Sequence, residues 1–527
     1  MPPHAVSSIN NIMRLFIFAI GGTGSRVLKS LAMLCAAGVR PTDPVTGAPM
    51  EDVELIPIIV DPHQSGDDVK RTAELLRDYV KIRKALYTDT EKAEGFFATK
   101  ISTLKSVAVQ TEASALSDTF MFNMSAVERQ KFREFIGYNE LDEGNQAMMQ
   151  MLFSAAQLDT SMRIGFVGAP NIGSVALNRF KDSDEFKAFG NIITEGDRIF
   201  FISSIFGGTG AAGFPIMVKN IRHAHSSEIN GGGYMRTATT GALTVLPYFN
   251  IEHSSDSAIN KADFLIKTRS ALHYYDKALT ADGHSEIDAI YYLGDKVVST
   301  PYTNDPGERG QKNAAHLIEL VGALSVFDFM SRADADFNER ICAFEYGLER
   351  DTTNVDLLSL AAESRALIGR PLLMLHLLSL FLDKKMHDVT GRGFTKDTPV
   401  INRDFLNSDV YSCLTKSFFS AYWDWLEEME GNHRHVLLFD LDNAGKLERV
   451  VHGIEPRKGV FGFSRLSQDD IFARMNSVSK KYNGKFPPDR LLRKLLVVFH
   501  EAAEQLIDTK FPVLAGESDN KQSRRHK

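Results

Sequence analysis

Two short glycine-rich segments are the residues of this sequence whose types and spacing suggest chemistry. Each follows an apolar run typical of a buried strand, over 15–20 and over 198–203, and each opens a run with the spacing of a helix. The segments are Gly21-Gly22-Thr23-Gly24-Ser25 and Phe206-Gly207-Gly208-Thr209-Gly210-Ala211. Glycines let a backbone approach a ligand closely, and the free N–H groups and dipole of a helix N-terminus attract anions. The pair therefore predicts two cradles that converge on one polyphosphate.

A third loop and one carboxylate extend this predicted site. Gly168, Ala169 and Asn171 follow another strand-like run over 162–167, and Asp61 follows a buried strand over 54–60. In open α/β sheets, ligands bind at the carboxyl ends of the strands, where these residues fall. The sequence leaves two roles open for Asp61, a metal ligand and a simple turn cap.

Strand-like runs alternate with helix-like runs through the first 310 residues, which predicts a doubly wound parallel sheet in an α/β fold. The run over 311–333 is apolar around much of its circumference and predicts a long central helix buried between two domains. The predicted organisation is a nucleotide-binding domain over 12–310 with a helical insertion at about 67–160, the central helix over 311–333, an α+β C-terminal domain over 334–515, and a polar, disordered tail over 516–527.

The composition predicts a globular, cytoplasmic protein. Its 527 residues are enough for two or three domains, and 43% hydrophobic and 24% charged residues are ordinary for that class. The net charge of -7 disfavours a nucleic-acid partner, since such binders usually carry a basic face. Its three cysteines lack metal-like spacing, which favours a reducing compartment over a zinc site or disulfides. No run reaches the roughly 18 apolar residues of a membrane helix, so no membrane span is predicted.

The order of these motifs resembles that of the tubulin/FtsZ superfamily of GTPases, and within it the prokaryotic tubulin-like group. The family loop Gly-Gly-Gly-Thr-Gly-Ser/Thr-Gly is similar to residues 206–213, which differ by Phe206 at the first glycine and by an extra alanine. The FtsZ loop Gly-Ala-Gly-Ala-Asn-Pro is similar to 168–173, and the tubulin segment Val-Asp-Leu-Glu-Pro to 60–63. The resemblance covers about residues 13–330 in the same chain order. Only the loop at Gly207 is specific by itself, so the order of the set carries the resemblance.

The resemblance implies a tubulin/FtsZ-like fold that binds GTP or GDP with Mg²⁺. Residues 207–210 and 22–24 would surround the phosphates, and the loop at Gly168 would sense the γ-phosphate. Asp61 would orient Mg²⁺ through water, because Mg²⁺ keeps much of its hydration shell. Asn313 would read the purine edge, with Tyr248 or Phe249 near the sugar or base; the alternative for Asn313 is a helix cap.

The resemblance also implies that subunits assemble head to tail into filaments, with the acidic loop of one subunit completing the nucleotide site of its neighbour. Asn354 and Asp356 match that loop, whereas Ser359 stands where the family has a second acid. Because serine lacks the charge of a carboxylate, GTP hydrolysis is expected to be slow or absent. The alternative for Asp356 is an ordinary acid at a helix start. Rival acids nearer to the predicted central helix are Asp334, Asp336 and Glu339.

Two other functions remain open from the sequence. The degraded acidic pattern and the helical insertion favour a GTP-gated scaffold or sensor that does not polymerise, with operon-encoded partners in a prokaryotic multi-gene defence system. An NAD(P)-dependent enzyme is the second, since Gly22-x-Gly24 begins like a dinucleotide fingerprint, but Val27 occupies the place of its third glycine. The simplest alternative is that both glycine segments are tight strand–helix connections without a ligand.

Overall fold

A seven-stranded, all-parallel sheet forms the centre of the protein. We use a computed structural model, which describes residues 12–64, 66–108, 113–124, 130–162, 166, 169–225, 229–248, 250–251, 261–281, 284–295, 301–302, 313–337, 342–346, 352–443, 445–458 and 466–514. The strands are β1 Met13–Ile20, β2 Val53–Val60, β3 Lys100–Ile101, β4 Arg198–Ser204, β5 Thr240–Val245, β6 Ala289–Leu293 and β7 Cys342–Tyr346. Their spatial order is β7-β6-β5-β4-β1-β2-β3, so the direction of winding reverses between β1 and β4.

Helices cover both faces of the sheet. Those of eight residues or more in the described chain are α1 Gly21–Ala37, α2 Asp67–Leu86, α3 Glu143–Leu152, α4 Pro170–Leu177, α5 Asp184–Ile192, α6 Gly208–Arg222, α7 Lys261–Ala278, α8 Leu317–Ser331, α9 Ala362–Lys384, α10 Phe419–Glu430, α11 Gln468–Tyr482 and α12 Leu491–Lys510. Shorter helical turns connect them, among them Asp334–Phe337, Leu357–Ser359 and the π-helical Cys413–Phe418. Pairs of two-residue strands join Asn250–Ile251 to Pro301–Tyr302, Thr280–Ala281 to His284–Ser285, and Asn354–Val355 to His435–Val436.

Continuous apolar runs place the central strands between two hydrophobic layers, as is typical of parallel sheets. The side chains of β1 alternate between the layers: Leu15, Ile17 and Ala19 enter one, and Phe16, Phe18 and Ile20 enter the other. The first layer contains α1, α2 and α8 and is continuous with the C-terminal helices, whereas the second contains α4, α5 and α6. The predicted α/β fold with a parallel sheet is therefore confirmed.

Several predicted boundaries differ from the structure. Helix α2, which the sequence analysis assigned to the insertion at about 67–160, is instead the crossover between β2 and β3. The central helix predicted over 311–333 begins only at Leu317, with residues 313–316 outside it and 311–312 outside the described residues. Strand β7, assigned to the C-terminal region, is the edge strand of the main sheet.

The region after β7 is mostly helical. Its strand His435–Val436 is only two residues long, and Leu438 and Phe439, which follow it, are buried in the core. Among the described residues one helix, α9, is long and apolar enough to cross a membrane, but 72% of its apolar window is buried inside the protein. That burial is characteristic of a core helix, so α9 is weak evidence for a membrane span.

Most of both glycine segments lies in the first turns of helices: α1 begins at Gly21 and α6 at Gly208, with Phe206 and Gly207 just ahead of α6. A Cβ atom on Gly24 would lie 2.6 Å from the carbonyl carbon of Ala19, and one on Gly210 would lie 2.8 Å from the carbonyl oxygen of Ser204. Such contacts are closer than any side chain tolerates, so these two glycines let α1 and α6 turn back tightly on β1 and β4. Gly21 also has a positive φ of 75°, which favours glycine.

Candidate functional site at the switch point of the sheet

The two glycine segments lie side by side where the winding of the sheet reverses. Strands β1 and β4 are neighbours, with Ala19 opposite Ile202, and the glycine segments follow the carboxyl ends of these strands. A Cβ atom on Gly21 would lie 3.7 Å from Cβ of Thr209 and 3.8 Å from the amide nitrogen of Gly210. The first turns of α1 and α6 are therefore in contact, at the position where open α/β sheets bind ligands.

Neither helix start has a side-chain cap. Ile20 and Gly207 occupy the N-cap positions of α1 and α6, and neither provides a side-chain acceptor to the first N–H groups. Gly22, Gly207 and Gly208 are partly exposed. Two adjacent helix N-termini with accessible backbone can together bind an anionic group.

The other residues of the glycine segments are less accessible. Thr23 and Thr209 are each only 8% exposed. The Ser25 hydroxyl is fully buried and donates to the carbonyl oxygen of Gly21, and the Ala211 carbonyl accepts from the Tyr275 hydroxyl. Ser25 thus bonds within α1 and Ala211 connects α6 to α7, and the accessible part of the site is mainly glycine backbone.

Helix α4 brings part of the third predicted loop to the same place. A Cβ atom on Gly173 would lie 3.1 Å from the carbonyl oxygen of Gly208 and 2.8 Å from Cβ of Ala212, so α4 packs on the first turns of α6. Ala169 is the N-cap of α4, and Asn171 is exposed in its first turn, where it accepts a hydrogen bond from Gln157. Gly168 and Phe249 lie outside the described residues.

Asp61 lies at the same edge of the sheet. It follows Val60, which pairs with Ile20, so Asp61 is level with Gly21. One carboxylate oxygen accepts the N–H of His63 at 2.9 Å. Burial raises the pKa of Asp61 to about 7, and the nearby charge of Asp68 adds to this effect. Within the described part of the chain, no group of three or more His, Cys, Asp or Glu side chains could hold a metal. Asp61 by itself could contribute at most one ligand to a cation that brings its other oxygen ligands.

A buried charge network that the sequence analysis missed holds the first glycine segment. Arg26, in the second turn of α1, is 7% exposed. Its guanidinium donates to Glu319 at 2.5 Å, to Asp68 at 2.9 Å and to the Tyr248 hydroxyl at 3.2 Å. Burial alone would lower the pKa of Arg26, but the charges of its partners raise it well above its ordinary value. Its helical spacing after Gly22 is the only sequence signal that could have suggested this position.

A second set of ion pairs extends the network to the C-terminal helices. Glu428 on α10 accepts from Lys29 at 3.2 Å, from Arg71 at 2.5 Å and from the backbone N–H of Ala315 at 3.1 Å. Burial by itself would raise the pKa of Glu428, but the charges of Lys29 and Arg71 hold this pKa below its usual value. The network therefore connects α1 and α2 to both α8 and α10.

Asn313 and Tyr248 are part of this network. Asn313 precedes α8 rather than lying on it, and its side-chain amide and backbone N–H both donate to Asp68, at 2.8 and 3.2 Å. Tyr248 is 6% exposed, and its ring lies 4.7 Å from that of His316 and 6.2 Å from that of Phe206, measured between centroids. A purine edge would have to compete with Asp68 for the Asn313 amide.

The predicted catalytic residues are not brought to the glycine segments by the described contacts. Asn354 is exposed in a two-residue strand beside His435. Asp356 caps the turn Leu357–Ser359. Its carboxylate accepts hydrogen bonds from the N–H of Ser359 at 2.8 Å and from the Ser359 hydroxyl at 2.7 Å. The rival acids are also placed elsewhere or not described: Asp334 pairs with Arg198 at 2.8 Å, Asp336 lies in the same exposed turn, and Glu339 is outside the described residues.

Comparison with known proteins assigns no family to this chain. No protein-family model matches the chain, and no curated protein matches it. The function must therefore be argued from the geometry of the site.

Replacement of Arg26 by methionine tests the buried network. Arg26→Met leaves Glu319 buried without its cation, so we expect a loss of about 3–5 kcal/mol in the free energy of unfolding, measured by urea denaturation. Arg26→Met/Glu319→Leu should recover part of this loss, because it removes the unpaired charge. Arg77→Met is the matched control on an exposed ion pair and should cost at most about 1 kcal/mol. If the two substitutions changed the free energy of unfolding additively, Arg26 and Glu319 would not stabilise each other and the buried ion pair would be contradicted.

The pH dependence of stability tests the environment of His316. Its Nδ1 accepts the N–H of Ile318 at 3.1 Å as the cap of α8, and burial lowers the pKa of His316 to about 4. A histidine in the unfolded chain takes up a proton near pH 6.5. The stability that neutral His316 contributes is therefore fully present above that pH and is lost as the pH falls towards 4. The total loss in the free energy of unfolding is about 3 kcal/mol at most.

His316→Asn keeps a capping acceptor but removes the titration. Urea midpoints measured at pH 7.5 and pH 5 should therefore differ less in this variant than in the parent protein. His387→Asn, at an exposed position, is the control and should leave the difference unchanged. Equal pH dependence in the His316 variant and the parent would exclude the proposed titration.

Proposed function

We propose that this chain is a guanine-nucleotide-binding protein of the tubulin/FtsZ type, with GTP or GDP bound at the switch point between β1 and β4. The observation that carries the proposal is the contact between the first turns of α1 and α6, with Gly21 beside Thr209 and Gly210. A polyphosphate accepts many hydrogen bonds, and two adjacent uncapped helix starts offer more backbone donors than one.

The accessible backbone of Gly22, Gly207 and Gly208 would bind the phosphates in this proposal. The α4 start, with Asn171, would lie near the terminal phosphate, because α4 packs on α6. Asp61 would hold Mg²⁺ through water, since Mg²⁺ in nucleotide sites uses one or two carboxylates together with phosphate oxygens. Binding of the cation would also displace the proton that the raised pKa of Asp61 retains near neutral pH.

Filament assembly is the second part of the proposal. The hydrogen bonds given for Asp356 in the described structure are with Ser359 of its own turn, and in this proposal a neighbouring subunit would bring Asp356 to the site. A head-to-tail contact of this kind is heterologous, so it does not close and leads to filaments. Hydrolysis would then depend on assembly.

A scaffold that binds GTP without polymerising is the second candidate, and two observations favour it. Ser359 already donates two hydrogen bonds to the Asp356 carboxylate, which reduces what this acid can offer to a neighbour. Helix α3 buries none of its residues, and Met148, Met151 and Leu152 on it are 49%, 87% and 60% exposed. Methionine-rich surfaces suit binding to other proteins.

Glycine-to-alanine substitutions separate ligand binding from folding. A Cβ atom on Gly22 meets only ordinary contacts at 3.7 Å, and one on Gly207 meets only the Ser204 hydroxyl at 3.1 Å, so both variants should fold. Because an added methyl group would reduce the access of a phosphate to the glycine backbone, we expect each variant to weaken binding of methylanthraniloyl-GTP by about tenfold or more, measured by fluorescence titration.

Gly445→Ala, at a position with open space, is the matched control and should bind like the parent. Unlabelled GTP should compete and NAD should not. Equal affinity of all three variants, or displacement by NAD alone, would refute the nucleotide assignment.

Sedimentation distinguishes the filament from the scaffold. With GTP and Mg²⁺, the parent protein should pellet above a critical concentration and release phosphate only above it. Asp356→Asn should still pellet but release phosphate at least about tenfold more slowly, which corresponds to about 1.4 kcal/mol in the barrier. A chain that binds GTP and remains monomeric at every concentration would contradict assembly and support the scaffold.

A further inference from the structure

Helix α3 turns polar side chains towards the protein. Gln146 donates to the carbonyl oxygens of Tyr138 and Leu141, at 3.2 and 3.0 Å. Gln150, one turn later, donates to the Tyr138 hydroxyl at 2.6 Å. Met149, beside them, packs against the second hydrophobic layer. These contacts fix which side of α3 faces the protein.

The opposite side of α3 is an exposed apolar stripe. Gly144, Met148, Met151 and Leu152 are spaced i, i+4, i+7 and i+8, which places them on one face, and we call these four residues the α3 stripe. All four are exposed, and α3 buries none of its residues. Surface helices of globular proteins ordinarily have the reverse arrangement, with the apolar face inside. Because a helix of about ten residues is marginal by itself in water, a partner that covers the stripe would stabilise α3.

The surroundings of the α3 stripe are acidic. The sequence over 134–162 contains five acidic residues and no lysine or arginine. Three of these acids, Glu140, Asp142 and Glu143, are exposed at the N-terminal end of the stripe, and no ion pair within the described residues involves them. The helix dipole of α3 offsets only about half of one charge at this end. The stripe therefore combines an apolar surface with a local excess of negative charge.

We propose that the α3 stripe docks a basic amphipathic helix of another protein. The apolar face of that helix would pack on Met148, Met151 and Leu152, and its lysine or arginine residues would lie near the acids at the start of α3. Methionine side chains adapt to partners of different shape, and amphipathic helices commonly bind through anchors with this spacing. The inference names the kind of partner that the scaffold leaves open, but it does not depend on nucleotide binding and its test is made without nucleotide.

Two model peptides of equal charge test the surface in the full-length protein. One is an amphipathic helix of leucine and lysine, and the other has serine in place of every leucine. The serine peptide is needed because a protein with a net charge of -7 attracts any cationic peptide. We expect saturable binding of one equivalent of the leucine peptide and at least about tenfold weaker binding of the serine peptide, measured by fluorescence anisotropy. Equal binding of the two peptides, or no saturable binding of the leucine peptide, would overturn the proposal.

Substitutions in the stripe locate the binding surface. Met151→Gln/Leu152→Gln removes two exposed apolar side chains, keeps good helix formers, and should weaken binding of the leucine peptide by about tenfold or more. Val45→Gln/Val400→Gln removes two apolar side chains that are 89% and 51% exposed elsewhere on the protein, and it should bind like the parent. Unchanged binding in the stripe variant, or an equal loss in both variants, would overturn the assignment to α3.

The acids at the start of α3 are tested separately from the apolar surface. Glu140→Gln/Glu143→Gln should weaken binding of the leucine peptide by about threefold at low salt and make it less dependent on salt, because exposed charges are screened. Asp404→Asn/Asp409→Asn removes two exposed acids at other helix starts and should change neither quantity. Equal effects of the two pairs of substitutions would contradict the proposed charge complementarity.

Lipid vesicles distinguish a protein partner from a membrane. The exposed acids of α3 would be repelled by an anionic lipid surface, so uncharged phosphatidylcholine vesicles are the stricter test. We expect that the parent protein does not cosediment with them. Cosedimentation that is lost in Met151→Gln/Leu152→Gln would show that the stripe docks on lipid and would overturn the proposal of a helical partner.

Discussion

The buried guanidinium of Arg26 is the interaction on which the position of the first glycine segment depends. A desolvated charge is stable only when its partners are in place, and the partners of Arg26 come from α2, α8 and the segment after β5. These contacts fix the start of α1 against elements that are distant in the sequence. Because Gly22 is within one turn of Arg26, a shift of α8 or α2 would also move the glycine backbone.

The same network joins the N-terminal helices to the C-terminal part of the chain. Glu428 on α10 binds cations on α1 and α2 and the backbone before α8. Arg434 pairs with Asp295, which follows β6 at the carboxyl edge of the sheet, at 2.5 Å.

The part of the fold that depends on local pattern could be predicted from the sequence, and the part that depends on distant partners could not. Strands β1, β2 and β4 are continuous apolar runs, and Gly21 and Gly207 follow two of them, which predicted both the sheet and the edge at which the segments meet. The start of α8 was missed because residues 311–316 have a helical pattern, whereas His316 caps the helix through its side chain. Strand β7 was assigned elsewhere because pairing between strands leaves no local signal.

In the candidate site, too, the residues marked by local spacing could be predicted, whereas those brought together by distant contacts could not. Spacing alone indicated which glycines stand at helix starts, but not that Gly24 and Gly210 are required by close backbone contacts while Gly22 and Gly207 are free of them. That division separates the glycines needed for folding from those available to a ligand. Arg26 pairs with Asp68 and Glu319, which are 42 and 293 positions away, so no motif could have shown its partners.

Hydrogen exchange measured by mass spectrometry, with and without GTP and Mg²⁺, tests the central claim most directly. If one polyphosphate binds both helix starts, the nucleotide should slow exchange in peptides covering 21–26 and 207–212 together, with the same concentration dependence. Protection of only one of these peptides, or of neither at a concentration where binding is otherwise complete, would show that the two glycine segments do not form a common site.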